Sequence, residues 1–259
     1  TQYYLGALYD CLLRPLEGLV GCRRLVVVPH CALHYLPFHA LYTGTQYVIE
    51  QREVAYAPSA RVLQQCLALP PRPAQRALLL GVPDEQTPLV RDEVITLAPM
   101  FPYAETLLDE HATQAALVAR AGSADILHLA CHAQFRPDNP LFSAIRLADT
   151  WLTVRDAYSL ELSCMLVALS ACETGMNVVS PGDELVGLAR GFFSAGASSL
   201  LVSLWTVDDT STATLMVHFY SQLRSGSSPS AALRHAQCAL IQDLPHPFFW
   251  SPFVLMGRW

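Results

Sequence analysis

Two short segments of this chain carry the residue types that could do covalent chemistry. Ser170-Ala171-Cys172-Glu173-Thr174-Gly175 directly follows the apolar run 165–169, and a second apolar run, 125–131, ends at His132. A thiol and an imidazole thus each stand just past the end of a predicted buried strand, 40 residues apart. In an open parallel sheet those strand ends are where ligands bind and reactions occur. A cysteine and a histidine meeting there make a nucleophile and its base, the imidazole taking the thiol proton or pairing with the thiolate. The backbone N–H groups of Cys172 and of Ala133, the residue after His132, are natural oxyanion donors. Packing is the competing role, and for either residue alone it is the commoner one. The pair, each member followed by turn residues, brings catalysis level with it. Cys131 alternates to the opposite face and is expected in the core. His128 is read as a satisfied core histidine. His128, His132 and Cys172 lack a fourth ligand, so no metal site is expected, and no cofactor.

These residues need a sheet to hold them, and the rest of the sequence supplies one. After the linker Pro70-Pro71-Arg72-Pro73, predicted strands at 77–82, 125–131, 164–171, 198–205 and 249–256 alternate with predicted helices at 89–100, 113–121, 154–160, 183–195, 209–224 and 229–241. That alternation predicts an α/β fold, a mainly parallel central sheet with helices on both faces. Near-continuous apolar strands fit burial on both sides. Before the linker, the pattern predicts a helix over 1–18, a strand at 24–29, a small strand pair at 36–41 and 47–55 turning at Gly44, and a helix at 59–69 capped by Ser59. Residues 1–73 are therefore expected to form a non-catalytic subdomain beside a catalytic one at 74–259.

Bulk composition narrows the function classes. The chain has 259 residues, 52% hydrophobic and 15% charged, with a net charge of −6, enough for a sizeable core. All 16 basic residues are arginine; a biased coding composition explains this, and it removes lysine chemistry from the chain. No basic stripe points to nucleic acid, and no apolar run is long enough for a membrane span. Eight cysteines with no CxxC pair are read mostly as buried hydrophobes of a reducing, cytoplasmic setting. No secretory leader is visible, and the chain is expected to be a domain of a longer protein.

Taken in order, several blocks resemble the CHAT domain family, caspase-like peptidases often attached to tetratricopeptide repeats and distantly similar to separase. They are Val27-Val28-Pro29-His30 with Leu36-Pro37-Phe38-His39-Ala40-Leu41, the histidine block 124–132, the cysteine block 169–175, the stretches 182–192 and 195–197, Ser203-Leu204-Trp205-Thr206-Val207-Asp208-Asp209, and 246–253. The resemblance spans nearly the whole chain. It implies a caspase–haemoglobinase-like fold, Cys172 as nucleophile with His132 as its partner, and a protein substrate. It also implies tetratricopeptide repeats or another regulatory partner outside the chain, reordering loops at 134–141 and 173–182. One departure stands out: the family usually has glycine after the histidine, where this chain has Ala133. In separase-like relatives an acid after the Leu-Trp strand contacts a basic P1 side chain. Asp209 matches it best, with Asp208 beside it and Glu173 and Asp183 at the pocket mouth. Asp208 or Asp209 would equally serve as the cap of the helix that follows, and Asp183 as a charge favouring its own helix N-terminus. The expected activity is a cysteine endopeptidase cutting a specific protein partner. The alternative is an interaction module that keeps the fold with a silent site.

Overall fold

The computed structural model describes residues 1–18, 21–85, 87–134, 142–170 and 183–259, the last stretch without the side chains of 183–186. The elements run in chain order: α1 (Gln2–Leu12), β1 (Arg24–Val27), α2 (Val48–Gln51), β2 (Glu53–Tyr56), α3 (Ala60–Ala68), β3 (Arg76–Val82), α4 (Val90–Leu97), β4 (Tyr103–Leu108), α5 (Gln114–Ala121), β5 (Ile126–Cys131), β6 (Ala133–Gln134), β7 (Ala144–Arg146), β8 (Trp151–Thr153), α6 (Val154–Tyr158), β9 (Leu166–Leu169), α7 (Asp183–Ala195), β10 (Ser199–Ser203), α8 (Asp209–Arg224), α9 (Pro229–Asp243), α10 (Pro247–Trp250) and β11 (Phe253–Gly257).

Eight strands form one sheet in the order β1-β2-β11-β10-β9-β5-β3-β4. Every neighbouring pair is parallel except β10 with β11. The sheet is therefore two parallel blocks of opposite sense joined at that one seam. Strands β5, β9, β10 and β11 are buried at every residue, the mark of a sheet covered on both faces. On one side α4 packs on α8, and α8 on α9; elsewhere α6 packs on α7 and α3 on β11. Helix starts follow side-chain chemistry. The Ser59, Thr113 and Ser228 hydroxyls each accept the N–H three residues on, satisfying donors that have no partner within the helix. Gly196, at φ +111°, ends α7 where an added Cβ would stand 2.2 Å from the Leu162 carbonyl oxygen. Among the described residues no helix is long and apolar enough to cross a membrane.

The predicted strand pair at 36–41 and 47–55 is not formed. Phe38–Ala40 is a 3₁₀ turn after Pro37, and the Tyr47 N–H donates to Glu50 Oε2 at 2.7 Å, starting α2 where strand was expected. Glu53–Tyr56 is the strand in this region, and it pairs in parallel with β1; one antiparallel bridge, Tyr42 to Tyr47, closes the turn at Gly44, which is at φ +102°. The strands on either side of Pro70-Pro71-Arg72-Pro73 belong to a single sheet. Two further features carry no strong apolar signal. Edge strand β4 leaves its first four residues exposed, and β6, β7 and β8 form a small antiparallel sheet of two- and three-residue strands. The final segment begins as helix α10 before β11. Cysteine burial is also mixed. Cys66, Cys131 and Cys164 are buried, but Cys11, Cys22 and Cys31 are exposed on α1 and on loops near β1. Burial holds the Cys66 and Cys164 thiols protonated, pushing them up to about 11 and about 12.

Candidate active site

Strands β3, β5, β9 and β10 run in one direction, so their C-terminal ends share one edge of the sheet. The register aligns Val82 with Cys131 and Leu129 with Leu169. The residues just beyond those ends, Pro83-Asp84, His132 and Ser170, therefore face the same end of the domain. The Ser170 N–H still donates to the Leu129 carbonyl at 3.2 Å, holding the exit from β9 beside β5.

His132 is 13% exposed, and its Nδ1 lies 3.7 Å from Oδ2 of Asp84, itself 12% exposed. That is ion-pair range, beyond a direct hydrogen bond. Asp84 is fixed from its other side, where Oδ1 accepts both the Thr87 N–H (2.8 Å) and the Thr87 hydroxyl (2.9 Å). Arg146 Nη1 reaches Asp84 Oδ2 at 3.5 Å. The His132 ring also meets Trp151 of β8 edge to face, centroids 6.0 Å apart. A carboxylate beside Nδ1 favours one orientation of the ring, with Nε2 on the side away from Asp84. Sequence reasoning missed Asp84. The sequence offers only its position, the first acid past the strand 76–82; that this strand lies beside the histidine strand comes from the register.

Ala133 opens β6, paired with Ile145. The Arg146 N–H donates to the His132 carbonyl at 2.7 Å, which makes Ala133–Ile145 a non-hydrogen-bonded pair and turns the Ala133 N–H away from β7. Its φ is not among the positive values, which non-glycine residues show at Cys31 and Asp109. Glycine is thus not required at this position by backbone conformation.

The two aspartates after β10 separate. Asp208 is the N-cap of α8, its Oδ2 accepting the Ser211 N–H at 2.9 Å. Asp209 is half-buried and accepts a hydrogen bond from the Leu89 N–H ahead of α4. Burial raises its carboxyl above the usual range; the Leu89 bond opposes this, and the nearby charges of Glu93, Asp208 and Asp84 add to it. Asp84, Glu93 and Asp208 thus lie within electrostatic reach of Asp209, with Arg146 beside Asp84. Asp183 opens α7, its side chain outside the described part, and Cys172 and Glu173 lie outside the described residues, as do most of 134–141 and 173–182. His128 is a buried, hydrogen-bonded core residue, as expected.

The family model of the CHAT domain matches residues 2–258. Tetratricopeptide repeat protein 28 of Mus musculus is 27% identical over 98% of this chain, and that of Homo sapiens 26% identical over the same share. The chain spans only 13% of the length of these curated relatives. Among solved structures, the Saccharomyces cerevisiae separase–securin complex aligns with a TM-score of 0.61 at 11% identity, over 87% of this chain and 15% of the separase-complex chain. The Arg-specific cysteine proteinase gingipain R aligns with a TM-score of 0.63 at 10% identity, over 99% of this chain and 66% of that one. At such identities the likeness is one of fold.

Proposed function

The chain belongs to the CHAT domain family, and from that premise we propose that it is a cysteine endopeptidase in which Cys172 attacks the scissile carbonyl and His132 is its base. What carries the reading is the His132–Asp84 pair at the sheet edge where β5 and β9 end, because it supplies an oriented imidazole at the strand end leading to the thiol. In the forward step the imidazole Nε2 takes the thiol proton, and sulfur bonds to the carbonyl carbon. The oxyanion is held by the N–H groups of Cys172 and Ala133, and collapse expels the amine, which takes the proton back from His132. Water then attacks the thioester, releasing the acid and regenerating the thiol. The turn of the Ala133 N–H away from β7 supports its part in this. The carboxylates at this edge support a basic P1 side chain, with Asp209 as the reader: Asp208 holds the start of its own helix, and Asp209, though it accepts the Leu89 N–H, keeps acceptor capacity for a guanidinium. A carboxylate recognises a guanidinium by paired, charge-assisted hydrogen bonds. Glu173 and Asp183 complete the pocket mouth in this proposal.

The substrate is a protein, and regulation comes from outside the domain; the relatives' tetratricopeptide repeats are the natural source of it. A cleavage profile on a peptide library tests the specificity. Arginine dominant at P1, lost in Asp209→Asn and kept in Asp208→Asn, is the expected result. A leucine or methionine preference would remove the acidic pocket from the account.

A further inference from the structure

Ser170, two residues before Cys172, is tied into a buried polar network within an otherwise apolar core. His128 of β5 is fully buried. Its Nδ1 lies 3.0 Å from the Tyr220 hydroxyl of α8, and its Nε2 lies 3.0 Å from Glu93 Oε1 of α4 and 3.3 Å from Ser170 Oγ. Glu93 is itself only 6% exposed. Glu93 Oε1 completes no hydrogen bond at that distance, so the hydrogen bonds of the ring run between Nδ1 and the Tyr220 hydroxyl and between Nε2 and the Ser170 hydroxyl, with the Glu93 carboxylate as a close charge. Burial, with the Glu93 charge beside it, raises Tyr220 and keeps its hydroxyl protonated as a donor.

Such a cluster is costly. A carboxylate removed from water must be compensated, and well-packed apolar residues commonly serve stability as well or better. What distinguishes it is where its ends lie. One end is the exit of β9; the other is Glu93, whose charge reaches Asp209. We infer that His128 is a positioning residue: braced by Glu93 and Tyr220, it fixes Ser170 and so sets the point from which the chain departs toward Cys172. The inference rests on the peptidase reading for its purpose, but it is tested apart from it.

The test is the rate of Cys172 alkylation by iodoacetamide in the full chain, located by peptide mass mapping, with the exposed Cys11 as internal reference and the melting temperature recorded alongside. Ser170→Ala removes one hydroxyl and leaves the Glu93–His128–Tyr220 contacts in place; His128→Gln and the double variant complete a cycle. The expected result is a rate at Cys172 lowered about tenfold or more by Ser170→Ala, since the reactivity of a thiol follows its thiolate character and access, both set by its placement beside the imidazole. Cys11 should be unaffected, and the double variant no slower than the slower single one. An unchanged Cys172 rate in Ser170→Ala, or losses that multiply in the double variant, would overturn the inference. A wild-type Cys172 no faster than Cys11 would instead count against the peptidase reading, while the ratio of Ser170→Ala to wild type still decides the positioning role.

Discussion

His39 offers a stability test of the fold that positions the site. The ring is buried beneath α10, with Nε2 3.0 Å from the Ser251 carbonyl and Nδ1 3.3 Å from the Tyr56 hydroxyl. Burial holds it neutral, lowering its pKa from 6.5 to about 4, against which the Ser251 bond is a smaller, opposing influence. Above pH 6.5 neither the folded nor the unfolded state binds a proton here, and the residue adds no pH dependence. As the pH falls through 6.5 the unfolded chain takes up a proton that the folded state refuses, so stability drops until the pH nears 4, where the folded state also binds one. At pH 5 the loss is about 2 kcal/mol, and it approaches about 3 kcal/mol at pH 4, at about 1.4 kcal/mol per unit. For a chain of this length that is a melting-temperature change of roughly 4–8 °C at pH 5. His39→Gln keeps a donor for the Ser251 carbonyl and does not titrate. Thermal unfolding by circular dichroism at pH 7.5 and pH 5 should therefore show a larger drop for wild type than for the variant, by that amount. Groups common to both chains cancel in the comparison. Equal drops in the two proteins would refute the neutral, buried imidazole.

Other outcomes follow from single contacts. Asp84→Asn should cut kcat/KM by at least about tenfold with little change in melting temperature, because the imidazole loses its orienting charge; steady-state kinetics with unfolding curves checks this, and unchanged kinetics would remove Asp84 from the site. Asp208→Ala should cost about 1 kcal/mol through loss of the α8 cap, seen in urea unfolding, and leave P1 preference in place. Gly196→Ala forces a left-handed conformation on a residue whose Cβ would meet the Leu162 carbonyl; a loss of roughly 2 kcal/mol or more is expected in the same assay, and a neutral variant would contradict the tight end of α7.

Much of the fold was legible because its strands are buried on both faces and read as short apolar runs; β5, β9 and β10 each fall within a predicted run. Segment 36–55 was misread because β-branched and aromatic residues there fill a turn and a short helix, with Glu50 satisfying the helix start through the Tyr47 N–H. Edge strand β4 escaped notice because Glu105 and Thr106 interrupt its apolar pattern where one side meets solvent. His132 was found from its place past a strand. Asp84 was not, because nothing in the run Val82-Pro83-Asp84 marks an acid as facing a histidine 48 residues on; that proximity comes from the β3–β5 register. The Asp208 and Asp209 alternatives were open in the sequence, since both suit a helix start, and only the Ser211 and Leu89 contacts separate them.

Turnover of an arginine-containing peptide, selected from the library profile, by wild type, Cys172→Ala and His132→Ala, each shown folded by its unfolding curve, decides whether Cys172 and His132 hydrolyse peptide bonds. Cleavage by wild type alone, with both variants reduced to background, is the outcome expected of a peptidase. Cleavage persisting in Cys172→Ala would contradict Cys172 as the nucleophile, and a folded wild type that cuts nothing while binding a protein partner would make the domain an interaction module.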